Sequence, residues 1–194
     1  MRVEAVALEG EVVRLEPISV DHLDGLCEVG LSESLWTLTQ TSVASREDML
    51  AYIESALADL DRGVALPFVT VEKGSGKVIG STRFGNIDTA NLRTEIGWTW
   101  IAPAWQRSRV NTEAKLLMLT HAFETWKCIR VEFKTDSLNE RSRNAIRRIG
   151  ATEEGIFRNH MITASGRFRH SVYFSIIDTE WESVKAKLRS MLDQ

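Results

Sequence analysis

Residues 98–115 read Trp-Thr-Trp-Ile-Ala-Pro-Ala-Trp-Gln-Arg-Ser-Arg-Val-Asn-Thr-Glu-Ala-Lys. The stretch begins as a strand rich in tryptophan and threonine, which Pro103 ends because its ring cannot donate to a sheet ladder. A polar loop follows, and a helix is expected to start near Asn111 or Thr112. The first N–H groups of a helix have no partner within it and carry the positive end of its dipole, so a strand, a polar turn and a helix in that order suit an anion. Arg107 and Arg109 add positive charge, and successive backbone N–H groups of the turn could form a nest. An ordinary capped turn with solvated arginines has the same local sequence.

Upstream, the alternation of Val12–Pro17 predicts a first strand, and Ser19 or Asp21 could cap a short helix after it. Ser45 and Asp48 resemble a capping box. Met49, Tyr52, Ile53, Ala56, Leu57 and Leu60 then recur at three and four residues as one apolar helical face, with Gly63 as its stop. Leu66–Glu72 and Val78–Asn86 read as strands joined by a hairpin turn over 73–77, and Thr94–Ile101 as a third. Downstream, Leu116, Leu119, Phe123 and Trp126 form a helical stripe. Cys128–Thr135 reads as a strand, and Asn139–Ile149 as a short helix ended by Gly150. Strands near 155–162 and 168–177 flank the turn Ala164-Ser165-Gly166, and a last helix starts near Thr179 or Glu180. Hairpin strands and helix-separated strands in one chain argue for an α/β (α+β) fold with a mixed, mostly antiparallel sheet and helices on both faces.

Several of these segments together resemble the GNAT acetyltransferases. Glu95-Ile96-Gly97-Trp98, Pro103, Gln106 and the helix opening Asn111-Thr112-Glu113-Ala114 are similar to that superfamily's motif A. The branch they most resemble contains the ribosomal-protein N-terminal acetyltransferases RimJ and RimL. Thr135 to Ser142, followed by Ala145, Ile146, Gly150 and Ala151, resembles the branch's next strand and helix. Gly155, Arg158, Gly166 and Tyr173 resemble its closing hairpin. The likeness runs from Val12 to Trp181.

The resemblance implies a sheet splayed at its middle, with acetyl-CoA as co-substrate and its pantetheine between the strands at 94–101 and 128–135. Backbone groups near Trp100 and Ile101 would bind the pantetheine. Gln106 begins the family's phosphate-loop pattern, and the N–H groups of Arg107, Ser108, Arg109, Val110, Asn111 and Thr112 would hold the pyrophosphate. Asn139 would contact the pantetheine or its neighbouring loop. Arg109 stands where the family has glycine. It would strain the loop by roughly 1–3 kcal/mol if the position needs φ > 0, or its guanidinium could pair with a phosphate. Asn111 could enter the left-handed region or cap the helix.

Amine acetylation needs a neutral amine and a proton for the departing thiolate. The implied direct attack in a ternary complex makes Glu95 the first candidate base, with a structural hydrogen bond as the alternative reading. Ser142 and Tyr173 are candidate acids. Ser142 could instead satisfy backbone groups in a first helical turn, and Tyr173 could simply pack in its strand. His160, on the closing hairpin, is a reserve base. Among the tryptophans, Trp98 and Trp100 should point the same way, and Trp36 could wall an apolar acceptor pocket.

The remaining chemistry is narrowed by composition. At 194 residues, 43% hydrophobic and 26% charged, the chain suits a single domain spanning 1–194. A net charge of −3 gives no general pull toward nucleic acid or an anionic membrane. Arg141, Arg143, Arg147 and Arg148 cannot all share one helix face, so one or two of them near the cofactor phosphates is the expectation, not a nucleic-acid surface. Two cysteines make no disulfide framework, and with no signal-peptide pattern and no run of about 20 apolar residues the expected location is cytoplasmic. The histidines show no metal-ligand spacing, so no metal is expected. The acceptor is a protein N-terminus or a small-molecule amine, a homodimer is common in the branch, and a catalytically silent acyl-CoA-binding protein is the alternative function.

Overall fold

Eight strands form one sheet in the order β1-β2-β3-β4-β5-β6-β8-β7, in a computed structural model that describes residues 1–163 and 165–194. The strands are β1 (Leu8–Glu9), β2 (Val13–Pro17), β3 (Leu66–Glu72), β4 (Lys77–Asp88), β5 (Arg93–Ile101), β6 (Arg130–Asp136), β7 (Thr152–Ile162) and β8 (Phe168–Ile177). The helices are α1 (Leu23–Gly30), α2 (Arg46–Asp61), α3 (Val110–Thr120), α4 (Glu140–Arg148) and α5 (Trp181–Leu192). Every neighbouring pair of strands is antiparallel except β5 and β6, which run parallel. The mixed, mostly antiparallel sheet expected from the sequence is therefore present. Ala164, which opens the predicted β7–β8 turn, lies outside the described residues.

Two cores hold the sheet, one on each face. Ile18, Leu26, Trp36, Met49, Ile53, Val69, Val71 and Trp100 pack under α1 and α2. Phe68, Phe84, Val110, Met118, Leu119, Phe133, Phe174 and Leu188 pack with α3 and α5. The apolar face read for α2 is the buried one, with Met49, Tyr52, Ile53 and Ala56 inside. Ser45 accepts from the Asp48 N–H at 3.1 Å while Asp48 accepts from the Ser45 N–H at 3.0 Å, completing the capping box. Gly63 follows the helix at φ +68.

Three local readings change. α3 begins at Val110, so Asn111 lies inside the helix and does not cap it. The stripe from Leu116 to Trp126 is not one regular helix: α3 gives way at His121–Thr125 to a wider π-type turn. The two-residue strand β1 was not anticipated; it is too short to show a period of two.

Glu113, in the first turn of α3, reaches back to the start of the sheet. Its carboxylate accepts the N–H groups of Glu11, Val12 and Val13 at 2.9, 2.7 and 2.6 Å. Gly10 permits the approach, because a Cβ there would lie 2.4 Å from the Glu113 side chain. Three N–H donors satisfy a carboxylate that is only 5% exposed.

Candidate active site

β5 and β6 pair only at their first residues, Arg93 with Arg130, Thr94 with Val131 and Glu95 with Glu132. Beyond Glu95 they part. On its other side β5 stays bonded to β4, with a register shift between Ser81 and Arg83. One residue of β4 there, Thr82, opposes two of β5, Trp98 and Thr99, and Trp98 takes φ +49. Such a bulge bends its strand, here in the stretch where β5 leaves β6. Trp98 and Trp100 do share a face. The Arg83 guanidinium lies 5.1 Å from the Trp98 ring and 5.2 Å from the Tyr52 ring, and Trp100 packs on Trp36 with centroids 5.5 Å apart.

The cleft edge of β5 differs from expectation at one residue. The Trp100 carbonyl is turned toward β4, where a Cβ on Gly80 would come within 2.2 Å of it, and the indole is buried. Backbone groups alternate in direction along a strand, so Ile101 and not Trp100 faces the cleft with its carbonyl. That carbonyl accepts Gln106 Nε2 at 2.7 Å.

At the wide end of the cleft stands the N-terminus of α3. Arg107, Ser108 and Arg109 are exposed just before it. Ser108 Oγ donates to the Trp105 carbonyl at 2.6 Å and accepts weakly from the Val110 N–H at 3.4 Å. The strain expected at Arg109 is absent. Arg109 is right-handed helical (φ −67, ψ −18), and Arg107 is the left-handed residue, at φ +60. Two arginines of α4 reach this rim: Arg141 donates to Gln106 Oε1 at 2.7 Å, and Arg148 to Thr112 Oγ1 at 2.8 Å. Arg143 and Arg147 turn away to Glu153. Among the described residues Arg107, Arg109, Arg141 and Arg148 have no carboxylate partner, whereas Arg46 has one and Arg93 and Arg130 have two each.

Glu95 marks the point of divergence and is 3% exposed. Its Oε2 accepts from Asn86 Nδ2 at 2.8 Å and pairs with Lys134 Nζ at 3.3 Å. Its Oε1 makes no hydrogen bond among the described residues and lies over Gly97, where a Cβ would be 2.9 Å away. Lys134 connects Glu95 to Tyr173: the two lie opposite each other across β6 and β8, and Nζ is 5.8 Å from the phenol ring. Tyr173 also packs on Phe157 and His160, with centroids 4.5 and 5.7 Å away. Burial, and then the charges of Glu95 and Glu132, push the Tyr173 hydroxyl up from 10. His160 Nδ1 is 3.0 Å from Ser171 Oγ, and burial with the nearby Lys134 and Arg169 pushes its ring down from 6.5. His160 is thus neutral at pH 7.

The structure brings Glu95, Tyr173 and His160 to one face of the sheet. Ser142 sits elsewhere, on α4. Its N–H donates to the Asn139 side chain at 3.0 Å, which makes Asn139 the N-cap, and its hydroxyl makes no hydrogen bond among the described residues. Among the described residues no hydrogen bond joins Ser142 to Glu95 or Tyr173.

Sequence reasoning missed Asn86, Lys134, Asp136 and Arg169 on the Glu95 face. A signal existed. Glu132, Lys134 and Asp136 alternate with Val131 and Phe133, and Arg169, Ser171, Tyr173 and Ser175 alternate with Val172, Phe174 and Ile176. Alternation of that kind places one polar and one apolar face on each strand. No group of three metal-ligating side chains occurs among the described residues, and no helix there is long and apolar enough to cross a membrane.

Comparison with known proteins adds to this geometry. A family profile described as an acetyltransferase (GNAT) domain matches residues 13–152. YdaF of Bacillus subtilis (strain 168), provisionally named a ribosomal N-acetyltransferase, is 34% identical over 110 residues; the match covers 57% of this chain and 59% of YdaF. The chain therefore spans about three-fifths of that relative's length. An N-acetyltransferase of Bacillus licheniformis, p20, described as uncharacterized, is 27% identical over 175 residues, covering 88% of this chain and 96% of its own. Among solved structures, a GCN5-related N-acetyltransferase from Brucella melitensis is 33% identical with a TM-score of 0.90, covering 97% of this chain and 86% of that one. RimJ of Mycobacterium smegmatis, solved with CoA-disulfide, shares the fold at 21% identity and a TM-score of 0.79, covering 96% and 93%.

Proposed function

This chain belongs to the GNAT acetyltransferase family, and from that premise we propose that it transfers an acetyl group from acetyl-CoA to a primary amine of a protein N-terminus or a small molecule. The observation that carries the reading is the join of two features. A cleft between parallel strands β5 and β6 runs to a helix N-terminus, and that terminus is ringed by four arginines without acid partners. Orphan N–H groups and unpaired guanidinium groups at one spot suit the phosphates of a coenzyme A.

In this reading Arg107, Ser108, Arg109, Val110, Asn111 and Thr112 hold the pyrophosphate, with Gln106 fixed between Ile101 and Arg141 as the loop's brace. The Ile101 backbone and Asn139 line the way of the pantetheine. When bound, acetyl-CoA supplies the acetyl group and a thiolate leaving group. An attacking amine must lose a proton, and Glu95 Oε1 is placed to take it, directly or through a water, because Asn86 and Lys134 occupy only Oε2. The amine nitrogen forms its bond to the acetyl carbon as the carbon–sulfur bond breaks. The thiolate then needs a proton, and Tyr173 is the acid of choice, since it stays protonated well above neutral pH and faces Glu95 across Lys134. Ser142 serves only if its free hydroxyl turns toward the cleft.

The silent acyl-CoA binder drew its support from Arg109 in a glycine's place. With Arg109 in a relaxed helical conformation, that support is gone. Calorimetry with acetyl-CoA, followed by thiol release over a panel of peptides and small amines, tests the proposal. Binding together with turnover of at least one amine is expected. Binding without turnover of any amine would revive the silent binder.

A further inference from the structure

The acceptor face holds a charge that the chain itself does not balance. Arg169, on β8, is 6% exposed, and its Nε has no hydrogen-bond partner among the described residues. Arg83 and Arg143 also have an unpartnered buried Nε, but Arg83 pairs with Asp59, and Arg143 with Glu140 and Glu153. Arg169 has no ion pair among the described residues. A guanidinium keeps its proton at any ordinary pH, and a buried unpaired charge costs free energy that a partner would recover.

The nearby carboxylates are committed. Asp136 pairs with Arg167 through Oδ2 and accepts the Leu138 N–H at its Oδ1. Glu95 is held by Asn86 and Lys134. With those two pairs balanced, Arg169 leaves one positive charge over. Residues 169, 171, 173 and 175 of β8 share a face, so Arg169 stands on the same side as Tyr173, beside His160. On the same hairpin an open concavity of about 1000 Å³ is lined by Phe157, Arg158, Asn159, His160 and His170.

We propose that the acceptor amine carries a carboxylate, and that Arg169 is its partner, placed up β8 from the Glu95–Lys134–Tyr173 group that handles the amine. The inference rests on the acetyl-transfer reading above and narrows its acceptor. The carboxylate belongs either to a free amino acid or to an acidic side chain of a peptide.

Matched pairs test it. Propylamine is set against β-alanine and γ-aminobutyrate, and a peptide with alanine after its N-terminal residue against one with aspartate there. In wild type the carboxylate member of at least one pair should have a kcat/KM on the order of tenfold to a hundredfold higher, the effect of a charge-assisted hydrogen bond. The pair that shows it identifies the source. In Arg169→Met the ratio should collapse toward one, and Arg169→Lys should restore part of it. A second readout needs no turnover. Arg169→Met should melt higher than wild type without ligand, and the carboxylate amine should raise the melting temperature of wild type only. If the methionine variant does not fold, Arg169→Gln takes its place in both comparisons. Equal use of both members of every pair, or a ratio kept in the variant, overturns the inference while leaving acetyl transfer intact. Absence of turnover with every amine overturns acetyl transfer; the melting comparison then decides the carboxylate site alone, and no shift specific to wild type removes it.

Discussion

The donor rim and the acceptor face hold their charges in opposite ways. At the rim, Arg107 and Arg109 stand in solvent before α3, and Arg141 and Arg148 are steadied by neutral partners, Gln106 and Thr112. On the acceptor face, Glu95 and Lys134 are mostly buried, and each is the other's partner. Water lets an exposed guanidinium wait for a ligand at little cost, whereas a buried one must be paired or pay for its isolation. In the proposed reading the rim therefore serves as a general anion site, and the acceptor face is where selectivity is built. Arg169, buried and unpaired, is the exception that makes this face informative.

Mutations should divide along the same line. Glu95→Gln should show the largest effect, a fall in kcat of about 10²- to 10³-fold, as expected for loss of a general base. Acetyl-CoA affinity by calorimetry should stay as in wild type, and a large loss of that affinity would dissolve the division between the two regions. Next comes Lys115, which belongs to neither region. It lies beneath β5 on the α3 face, where Nζ reaches Thr99 Oγ1 at 2.9 Å and Thr82 Oγ1 at 3.4 Å, and burial lowers it from 10.5 to about 7. Between those pH values the unfolded chain binds a proton that the folded chain does not. Stability should therefore rise with pH across that window, by up to about 1.4 kcal/mol per unit, and level off below pH 7. Urea unfolding at pH 7, 8 and 9 should show the slope in wild type and its disappearance in Lys115→Met.

Donor-rim effects should be smaller. Arg141→Ala removes the brace on Gln106, and the KM for acetyl-CoA should rise by about three- to tenfold with kcat nearly unchanged. A change confined to kcat would place Arg141 with the acceptor machinery instead. The smallest effect concerns the loop backbone. Arg107→Gly should stabilise the protein by about 0.5–1 kcal/mol by relieving a left-handed side-chain residue, and Arg109→Gly should not. The two variants compared by thermal melting locate the position where glycine is useful.

The same contrast explains what was legible in the sequence. The helices and most strands were readable because their signals are local: the capping box at Ser45, the apolar spacing of α2, the stop at Gly63. The donor rim was readable for the same reason, since residues 98–115 supply its strand, loop and helix start, and only Arg141 and Arg148 join it from α4. Even there the strained residue was misplaced by two positions, because only the backbone shows which residue of 107–109 carries positive φ. The acceptor face gathers Asn86, Glu95, Lys134, His160, Arg169 and Tyr173 from five strands. Alternation marks the polar face of each strand, but nothing in the sequence says which strands lie side by side; the sheet order makes them neighbours.

The clasp between Glu113 and the start of β2 also sets an order in time. It joins residues 100 to 102 apart in the chain, and so long a loop costs more entropy to close than the local contacts of the helices and hairpins within it. Glu11, Val12 and Val13 leave the ribosome before Glu113 does, and their N–H groups cannot find its carboxylate until α3 has been made. At ordinary rates of synthesis that is a delay of roughly 5 to 20 s. The start of β2 is thus seated by a helix that is synthesised 100 to 102 residues after it.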